Sequence, residues 1–228
     1  MSNLRVGAID SVNGNNALAI AADGSMTHGG NAMSTGMVKL AQAEWTTDTD
    51  GVNFDVFDTT KYINYKIYWW VSHESTAGDS ATTSWYQTGM CFRNASGNLD
   101  SSGAYDNNCS WVSSGGTDPD TNNAIGAGAK NRIWMCGNGN SYDSQGEGLI
   151  SIPPHSDFRA SVCGQSQLIG APRAGSGAGV NYFEEFSSVM IAGSTDPTQL
   201  TGFRFCSFRG TTGNYSKRGY ISVYGIEK

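Results

Sequence analysis

Hydrophobic and polar positions alternate most clearly between residues 62 and 71, and this alternation predicts a β-strand. One face of the predicted strand carries Ile63, Tyr65, Ile67, Trp69 and Val71. The opposite face carries Asn64 and Lys66 beside Tyr62, Tyr68 and Trp70. We therefore expect one side of this strand to face a hydrophobic core. The mixed side is typical of a half-buried subunit interface or of a surface that stacks on sugar.

The last two predicted strands, residues 202–208 and 219–226, alternate in the same way. Core-facing positions are predicted for Phe203, Phe205, Ile221 and Val223. The other face of the first strand carries Arg204 and Cys206, and that of the second carries Ser222 and Tyr224. Arg204 and Arg209 are expected to point to solvent or to a partner.

Five further segments have the composition of strands, which gives eight strands in all. They are residues 87–93, 132–136, 148–152, 158–163 and 182–192. Long polar loops are predicted between the strands, at residues 72–84, 94–116, 117–130, 137–146, 164–179 and 193–200. Eight strands with long connections predict an all-β protein, an antiparallel β-sandwich made of two packed sheets.

The composition narrows the possible partners. The chain has 228 residues, 30 glycines, five prolines and a net charge of −6 at pH 7. Nucleic-acid phosphates bind clustered Lys and Arg, so we expect no nucleic-acid partner. No apolar run approaches the ~20 residues of a spanning helix, and the first residues lack a secretory signal pattern. We expect a protein that is made in a cytoplasm and has no membrane partner.

The first 35 residues differ from the rest because they contain no aromatic side chain. Their apolar residues are aliphatic side chains and methionines, and they include Leu4, Val6, Ile9, Leu18 and Ile20. Such a segment cannot build a core of its own. We predict an N-terminal arm over residues 1–35 that attaches to other chains, followed by one β-sandwich domain over residues 36–228. The alternative is an N-terminal strand that completes the same sandwich.

The five cysteines are odd in number, whereas a secreted disulfide framework favours an even number. They are Cys91, Cys109, Cys136, Cys163 and Cys206, and all but Cys109 lie in apolar runs. A thiol in such a run behaves as a small hydrophobic group. We expect the cysteines to be reduced, mostly buried and not bound to metal.

Candidate catalytic and metal-binding residues are sparse, so no cofactor, metal or catalytic residue is predicted. The best cation candidate is the segment containing Asp48, Asp50 and Asp55, because carboxylates around Gly51 can surround a hard cation. That segment lacks the downstream glutamate of a calcium loop, and a plain turn into a strand explains it equally. Glu184 and Glu185 are adjacent, so they fall on opposite faces of a strand.

The remaining carboxylates give no acid and base pair. Glu44, Glu74 and Glu147 sit in unrelated sequence contexts, while glycan cleavage needs two carboxylates across a cleft. We therefore expect no enzymatic activity.

Four further aromatic residues lie in or beside predicted loops. They are Trp85, Tyr86, Trp111 and Tyr142. Exposed rings at these places can stack on a glycan or contact a neighbouring subunit. The same rings can instead pack their own loops onto the sandwich.

The ending of the chain, in which Gly219 opens a strand that finishes in Tyr224, Gly225 and Ile226, resembles the closing hairpin of jelly-roll virion proteins of tailed bacteriophages, many of them marine. A strand ending in Arg93, a glycine-containing turn and Tyr105 matches the same family pattern. The resemblance covers residues 45–228 and consists of scattered short signatures.

The resemblance implies a jelly-roll-like fold, a homotrimer and a location in the virion. It implies a tail fibre or appendage subunit that recognises a host surface glycan, or a capsid decoration or head-fibre protein. A lectin-like carbohydrate-binding module is the remaining alternative. Proteins of this kind dock on the particle through a short N-terminal arm, so we expect interfaces with virion proteins at Leu4, Val6, Ile9, Leu18 and Ile20. Tyr68 and Trp70, on the mixed face of the strand at residues 62–71, are expected at a subunit interface.

Overall fold

The computed structural model describes most of the chain. The described residues are 8–10, 16–20, 26–28, 31–32, 36–47, 49, 51–72, 86–99, 104–114, 120–124, 132–139, 142–170, 181–190, 196–209, 216 and 218–228. They belong to two compact units, Met1–Met37 and Val38–Lys228. Each unit is described by itself below.

The first unit contains four short strands in one antiparallel sheet. They are β1 (Ala8–Asp10), β2 (Asn16–Ile20), β3 (Met26–His28) and β4 (Asn31–Ala32), in the order β1-β2-β3-β4. Ile9 pairs with Leu18. The predicted strand around Leu18 and Ile20 is therefore present as β2. The role of residues 1–35 as an attachment arm stays a prediction.

The second unit is built almost wholly of strands. They are β5 (Met37–Trp45), β6 (Val52–Phe54), β7 (Tyr62–Ser72), β8 (Tyr86–Asn94), β9 (Gly97–Asn98), β10 (Tyr105–Ser114), β11 (Asp120–Ala124), β12 (Ile133–Gly139), β13 (Tyr142–Ser151), β14 (Ser161–Gly170), β15 (Asn181–Met190), β16 (Leu200–Arg209) and β17 (Arg218–Glu227). A short 3-10 helix, Pro197–Gln199, precedes β16. Among the described residues, no helix is long and apolar enough to cross a membrane.

These strands form two antiparallel sheets, so the predicted all-β sandwich is confirmed. The larger sheet has eight strands in the order β11-β10-β15-β14-β13-β7-β17-β5. The smaller sheet has the order β12-β8-β16-β6, with β9 paired to β8. The core lies between the sheets and draws buried side chains from both of them.

Trp69 of β7 lies at the centre of the contact between the two sheets. Its ring centroid is 6.1 Å from that of Phe186 in its own sheet and 6.1 Å from that of Phe205 in the smaller sheet. Its indole N–H donates to Ser144 Oγ at 3.2 Å, and Thr88 of the smaller sheet bonds the same hydroxyl. The buried polar end of the tryptophan is thus satisfied while its ring fills the core.

A second cross-sheet contact involves buried tyrosines. The Tyr105 hydroxyl accepts a hydrogen bond from the backbone N–H of Phe92 in the smaller sheet at 2.9 Å. The Tyr65 hydroxyl accepts from the backbone N–H of Asp58 at 2.7 Å. Burial raises the pKa of Tyr65 to about 12, because the phenolate would lose its hydration inside the core.

The predicted core positions of the closing strands are confirmed, although Ser222 on the opposite face of β17 is buried as well. Phe203, Phe205, Ile221 and Val223 are all buried. On β7, four of the five predicted core residues are buried as well, while the side chain of Ile63 lies outside the described part. Cys206 is buried although it shares a face with Arg204. The reason is Gly51, whose Cβ position would lie 3.1 Å from Cys206 Cβ, so this segment covers that face.

Several predicted loops are strands in the structure, and the loop prediction was wrong there. Residues 94–116 and 117–130 contain β10 and β11, β13 starts at Tyr142, and β14 continues to Gly170. These strands carry glycine, serine and asparagine, which resemble loop composition, yet neighbouring strands pair with their backbones along their whole length. Conversely, the strand predicted at Phe158 begins only at Ser161, and Phe158 is 61% exposed.

The expectation that the cysteines are buried holds for two of the three that can be judged. Cys91 and Cys206 are buried, whereas Cys163 is exposed. Cys163 lies on the face of β14 opposite buried Val162, so the alternation of the strand carries it to the surface. The side chains of Cys109 and Cys136 lie outside the described part.

The alternation on β14 can be tested with one substitution on each face. Val162→Asp places an unpaired charge in the core, and we expect it to lower the free energy of unfolding by at least about 3 kcal/mol. Gln167→Asp puts the same charge on the exposed face and should leave stability within about 0.5 kcal/mol. Urea denaturation of both variants measures the difference. Equal losses of stability would show that the assigned faces are wrong.

Candidate functional site

The outer face of the larger sheet, which points away from the core, carries a concentration of polar side chains. Residues directly opposite each other in antiparallel strands share a face. The register places five outer residues in one row across five strands, Tyr68, Glu147, Gln165, Glu185 and Ser110. We call this set the central row.

A row of outer residues lies on each side of the central row. On one side the register aligns Lys66, Leu149, Cys163, Ser187 and Asn108. On the other side it aligns Trp70, Gln145, Gln167 and Phe183. Amide, carboxylate and hydroxyl groups therefore cover the middle of the sheet, and aromatic rings stand at one end.

Three adjoining hollows follow this face and together form a groove. The largest has a volume of about 700 Å³ and lies over Lys66, Glu147 and Glu185. A hollow of about 370 Å³ at the aromatic end shares Glu147 and Gln165 with it. A third, of about 340 Å³ beside Asp106 and Ser161, shares Asn108, Cys163 and Ser187 with it. The outer groove thus runs along β14 and β15.

Three strand glycines lie beneath the outer groove, and their missing side chains make room for rings on the core side. A Cβ on Gly146 would overlap the Trp69 ring, and one on Gly164 would come within 2.7 Å of the Phe186 ring. At Gly148 the nearest atom, Ile67 Cγ1, would lie at 3.2 Å. The backbone at these three glycines forms the floor of the outer groove and is packed directly against the core. A floor fixed in this way is a rigid support for a binding surface.

The charges of the outer groove are mixed. Lys66 Nζ lies 3.0 Å from Glu147 Oε2 and 5.4 Å from the centroid of the Tyr68 ring. Gln145 Nε2 donates to Gln167 Oε1 at 3.2 Å. These contacts hold the long polar side chains in place across β7, β13 and β14. Positioned amides and carboxylates can then exchange hydrogen bonds with a hydroxyl-rich ligand.

Two exposed aromatic rings stand at one end of the outer groove. Phe183 is 45% exposed and Tyr68 is 37% exposed. The Tyr68 ring packs edge-on against Tyr224, with centroids 5.9 Å apart, which limits its motion. Flat rings beside hydrogen-bonding groups form a surface with one apolar and one polar part, as a sugar ring itself has.

The structure brings one predicted contact residue, Tyr68, into this groove. Trp70 is half-buried beside Arg218, whose guanidinium carbon lies 5.8 Å from the ring centroid. Among the arm residues, Ile9, Leu18 and Ile20 lie in β1 and β2, while Leu4 and Val6 lie outside the described residues. An interface at these residues stays a prediction.

Three of the four predicted glycan-contact residues are described, and all three belong to strands. Tyr86 and Tyr142 are the first residues of β8 and β13, and Trp111 lies inside β10. The loop assignment of Trp111 was therefore wrong, since β10 pairs with both β11 and β15 at this residue. Trp85 and the side chains of the other three lie outside the described part, so their role as contacts stays a prediction.

The candidate cation segment is described only in part. Asp48 and Asp50 lie outside the described residues. Asp55 accepts a hydrogen bond from Arg93 Nε at 3.0 Å, so its carboxylate already has a cationic partner. Within the described ranges, no group of three His, Cys, Asp or Glu residues could hold a metal ion.

Sequence reasoning missed most of the outer groove because it treated residues 137–146 and 164–179 as loops. It also placed Glu147 in an unrelated context, whereas the register puts Glu147 and Glu185 in one row with Gln165 between them. The signal was present as period-two alternation, since Gln145, Glu147 and Leu149 alternate with glycines. Small residues on the inner face hid the pattern from a search for apolar alternation.

Comparison with known proteins gives no family. No family model and no curated protein matches the chain. Among solved structures, the marine PL-14 alginate lyase from Aplysia kurodai is 10% identical with a TM-score of 0.30, covering 82% of this chain and 80% of the other. Winged bean acidic lectin complexed with methyl-alpha-D-galactose is 9% identical with a TM-score of 0.20, covering 92% and 91%.

The infectious bursal disease virus VP2 subviral particle is 10% identical with a TM-score of 0.14, and the match covers 86% of this chain and 43% of that one. TM-scores at this level carry no argument about function.

The close packing under the outer groove predicts unequal effects of adding one methyl group. Gly146→Ala would force its Cβ into the Trp69 ring and should lower the free energy of unfolding by about 1–3 kcal/mol. Gly148→Ala meets its nearest atom at 3.2 Å and should cost less than about 1 kcal/mol. Thermal unfolding followed by circular dichroism compares the two. A larger loss in Gly148→Ala would contradict this description of the floor.

Proposed function

We propose that this protein is a non-enzymatic, glycan-binding structural subunit of a bacteriophage appendage, and that the outer groove binds the glycan. The observation that supports glycan binding is the combination, on one sheet face, of exposed rings at Tyr68 and Phe183 with the amides of Gln145, Gln165 and Gln167. Sugars present hydroxyl groups around an apolar ring face, and this surface offers partners for both.

Binding rather than cleavage fits the positions of the carboxylates. Glu147 and Glu185 lie two strands apart, which separates their backbones by about 10 Å. Gln165 stands between them, and Lys66 is ion-paired with Glu147. A glycosidase needs two carboxyl groups that face each other across the bond to be cleaved, and here the Gln165 side chain occupies the position between the two glutamates. The carboxylates are therefore assigned to hydrogen bonding of the ligand.

The placement in a virion appendage rests on the sequence. The closing strand with Gly219 and Tyr224 resembles jelly-roll virion proteins of tailed phages, and residues 1–35 have the composition of an attachment arm. A homotrimer that docks on other virion proteins through this arm follows from the same resemblance. The alternative placement is on the capsid as a decoration protein. A decoration protein would not need to bind a ligand on the host.

Glycan binding can be tested with purified protein on a glycan array and on cells of the bacterial host. Wild type should bind, and Phe183→Ala combined with Gln165→Ala should weaken binding at least about tenfold through loss of ring contact and of a hydrogen bond. Both side chains are exposed, so the melting temperature should stay nearly constant. Phe158→Ala removes an exposed ring outside the outer groove and should bind as wild type does.

Three outcomes would count against the proposal. If Phe158→Ala lost binding while the Phe183→Ala and Gln165→Ala double variant kept it, the site would lie outside the outer groove. Shortening of the bound glycan, measured by mass spectrometry, would contradict the non-enzymatic assignment. Wild-type protein that binds no glycan or host cell, yet saturates emptied capsids at a fixed ratio, would replace the appendage placement with the decoration alternative.

A further inference from the structure

We infer that the ligand of the outer groove is an uncharged, linear glycan that lies lengthwise along β14 with several sugar units bound at once. This inference rests on the proposed glycan binding and adds the shape, length and charge of the ligand. Three independent features of the described residues support it, namely the direction of the groove, its charge and the unlike chemistry of its two ends.

The direction of the outer groove follows from the residues that its hollows share. We number the hollows along β14: the first is the one at the aromatic end, the second is the largest, and the third lies beside Asp106. The lining residues of β14 run from Gln167 in the first hollow, through Gln165 and Cys163 in the second, to Ser161 in the third. Six residue steps of a strand span about 20 Å. The length exceeds that of a single sugar ring several-fold. An extended chain fills such a groove, whereas a branched or single-sugar ligand leaves most of it to water.

The charge of the outer groove disfavours acidic sugars. Its described lining contains one cation, Lys66, and three carboxylates, Asp106, Glu147 and Glu185, which gives a net charge of −2. Lys66 already pairs with Glu147 at 3.0 Å. A uronate or sulfate group would therefore meet the carboxylates of Glu185 or Asp106 without a cation left to offset them. Neutral hydroxyl groups can donate to these same carboxylates.

The two ends of the outer groove offer different contacts. The first hollow carries the exposed rings of Tyr68 and Phe183. The third carries Asp106, Asn108, Ser161 and Ser187 and no aromatic ring among its described lining residues. One end of a bound chain would therefore stack, and the other would only hydrogen-bond. This difference between the two ends gives the bound glycan a preferred direction along β14.

The first experiment measures affinity against chain length and charge by isothermal titration calorimetry. The neutral probes are cello-, laminari- and manno-oligosaccharides of two to six units, and the acidic probes are oligogalacturonates and alginate oligomers of the same lengths. At least one neutral series should bind, with the hexamer at least about tenfold tighter than the dimer. The acidic series should bind more weakly at every length.

Substitutions then test the effect of glycan length and the effect of glycan charge separately. Ser187→Trp places a large side chain where the second and third hollows meet, so hexamer affinity should fall to the trimer level because the glycan can no longer extend past this row. Ser156→Trp adds the same side chain at an exposed position outside the outer groove and serves as the matched control. Glu185→Gln keeps a hydrogen-bonding group and removes a charge, so affinity for the acidic series should rise about threefold.

The outcomes distinguish this inference from the proposal on which it depends. Binding of acidic oligomers more tightly than neutral ones, or equal affinity for dimer and hexamer, would overturn the inference and leave glycan binding standing. Binding that Ser187→Trp does not change would show that the chain does not extend into the third hollow. If neither series binds at all, both the proposed glycan binding and this inference are contradicted.

Discussion

The packing of Trp69 between the two sheets is the interaction on which the rest of the structure depends. Its ring contacts Phe186 and Phe205, and its N–H is bonded to Ser144. Room for the ring exists only because Gly146 has no side chain. The rings of Trp69 on β7 and Phe186 on β15 pack over the glycines of β13 and β14 on the core side, and the alternation of each strand places the polar residues on the other side. The same strand register therefore determines which side chains fill the core and which line the outer groove.

That register explains which parts of the fold could be predicted from the sequence. Strands with large apolar residues on one face, such as those of Ile67 and Phe205, are recognisable because alternation contrasts ring or branched side chains with polar ones. In β13 and β14 the inner positions include Gly146, Gly148 and Gly164, and side chains of neighbouring strands fill the space next to these glycines. A glycine that is required because a side chain of another strand fills its space cannot be told from a loop glycine in the sequence. Only the pairing of the strands in the folded protein shows that it belongs to a strand.

The candidate site was harder to predict than the fold for the same physical reason. Glu147, Gln165 and Glu185 are distant in sequence and become neighbours through pairing of three strands. Tyr68 was identified because it lies on the most regular strand. The strands that carry these side chains are fixed by backbone hydrogen bonds before a ligand arrives. Less conformational entropy is therefore lost when a ligand binds.

The most direct test of this account is an NMR titration of isotope-labelled protein with a neutral linear hexasaccharide. Backbone amide shifts report which strands the ligand touches, independently of any substitution. The account predicts that the perturbed amides form a continuous line along β14 and the facing parts of β13 and β15, centred on Gln165. Perturbations confined to residues outside the outer groove, such as those around Phe158, would contradict it.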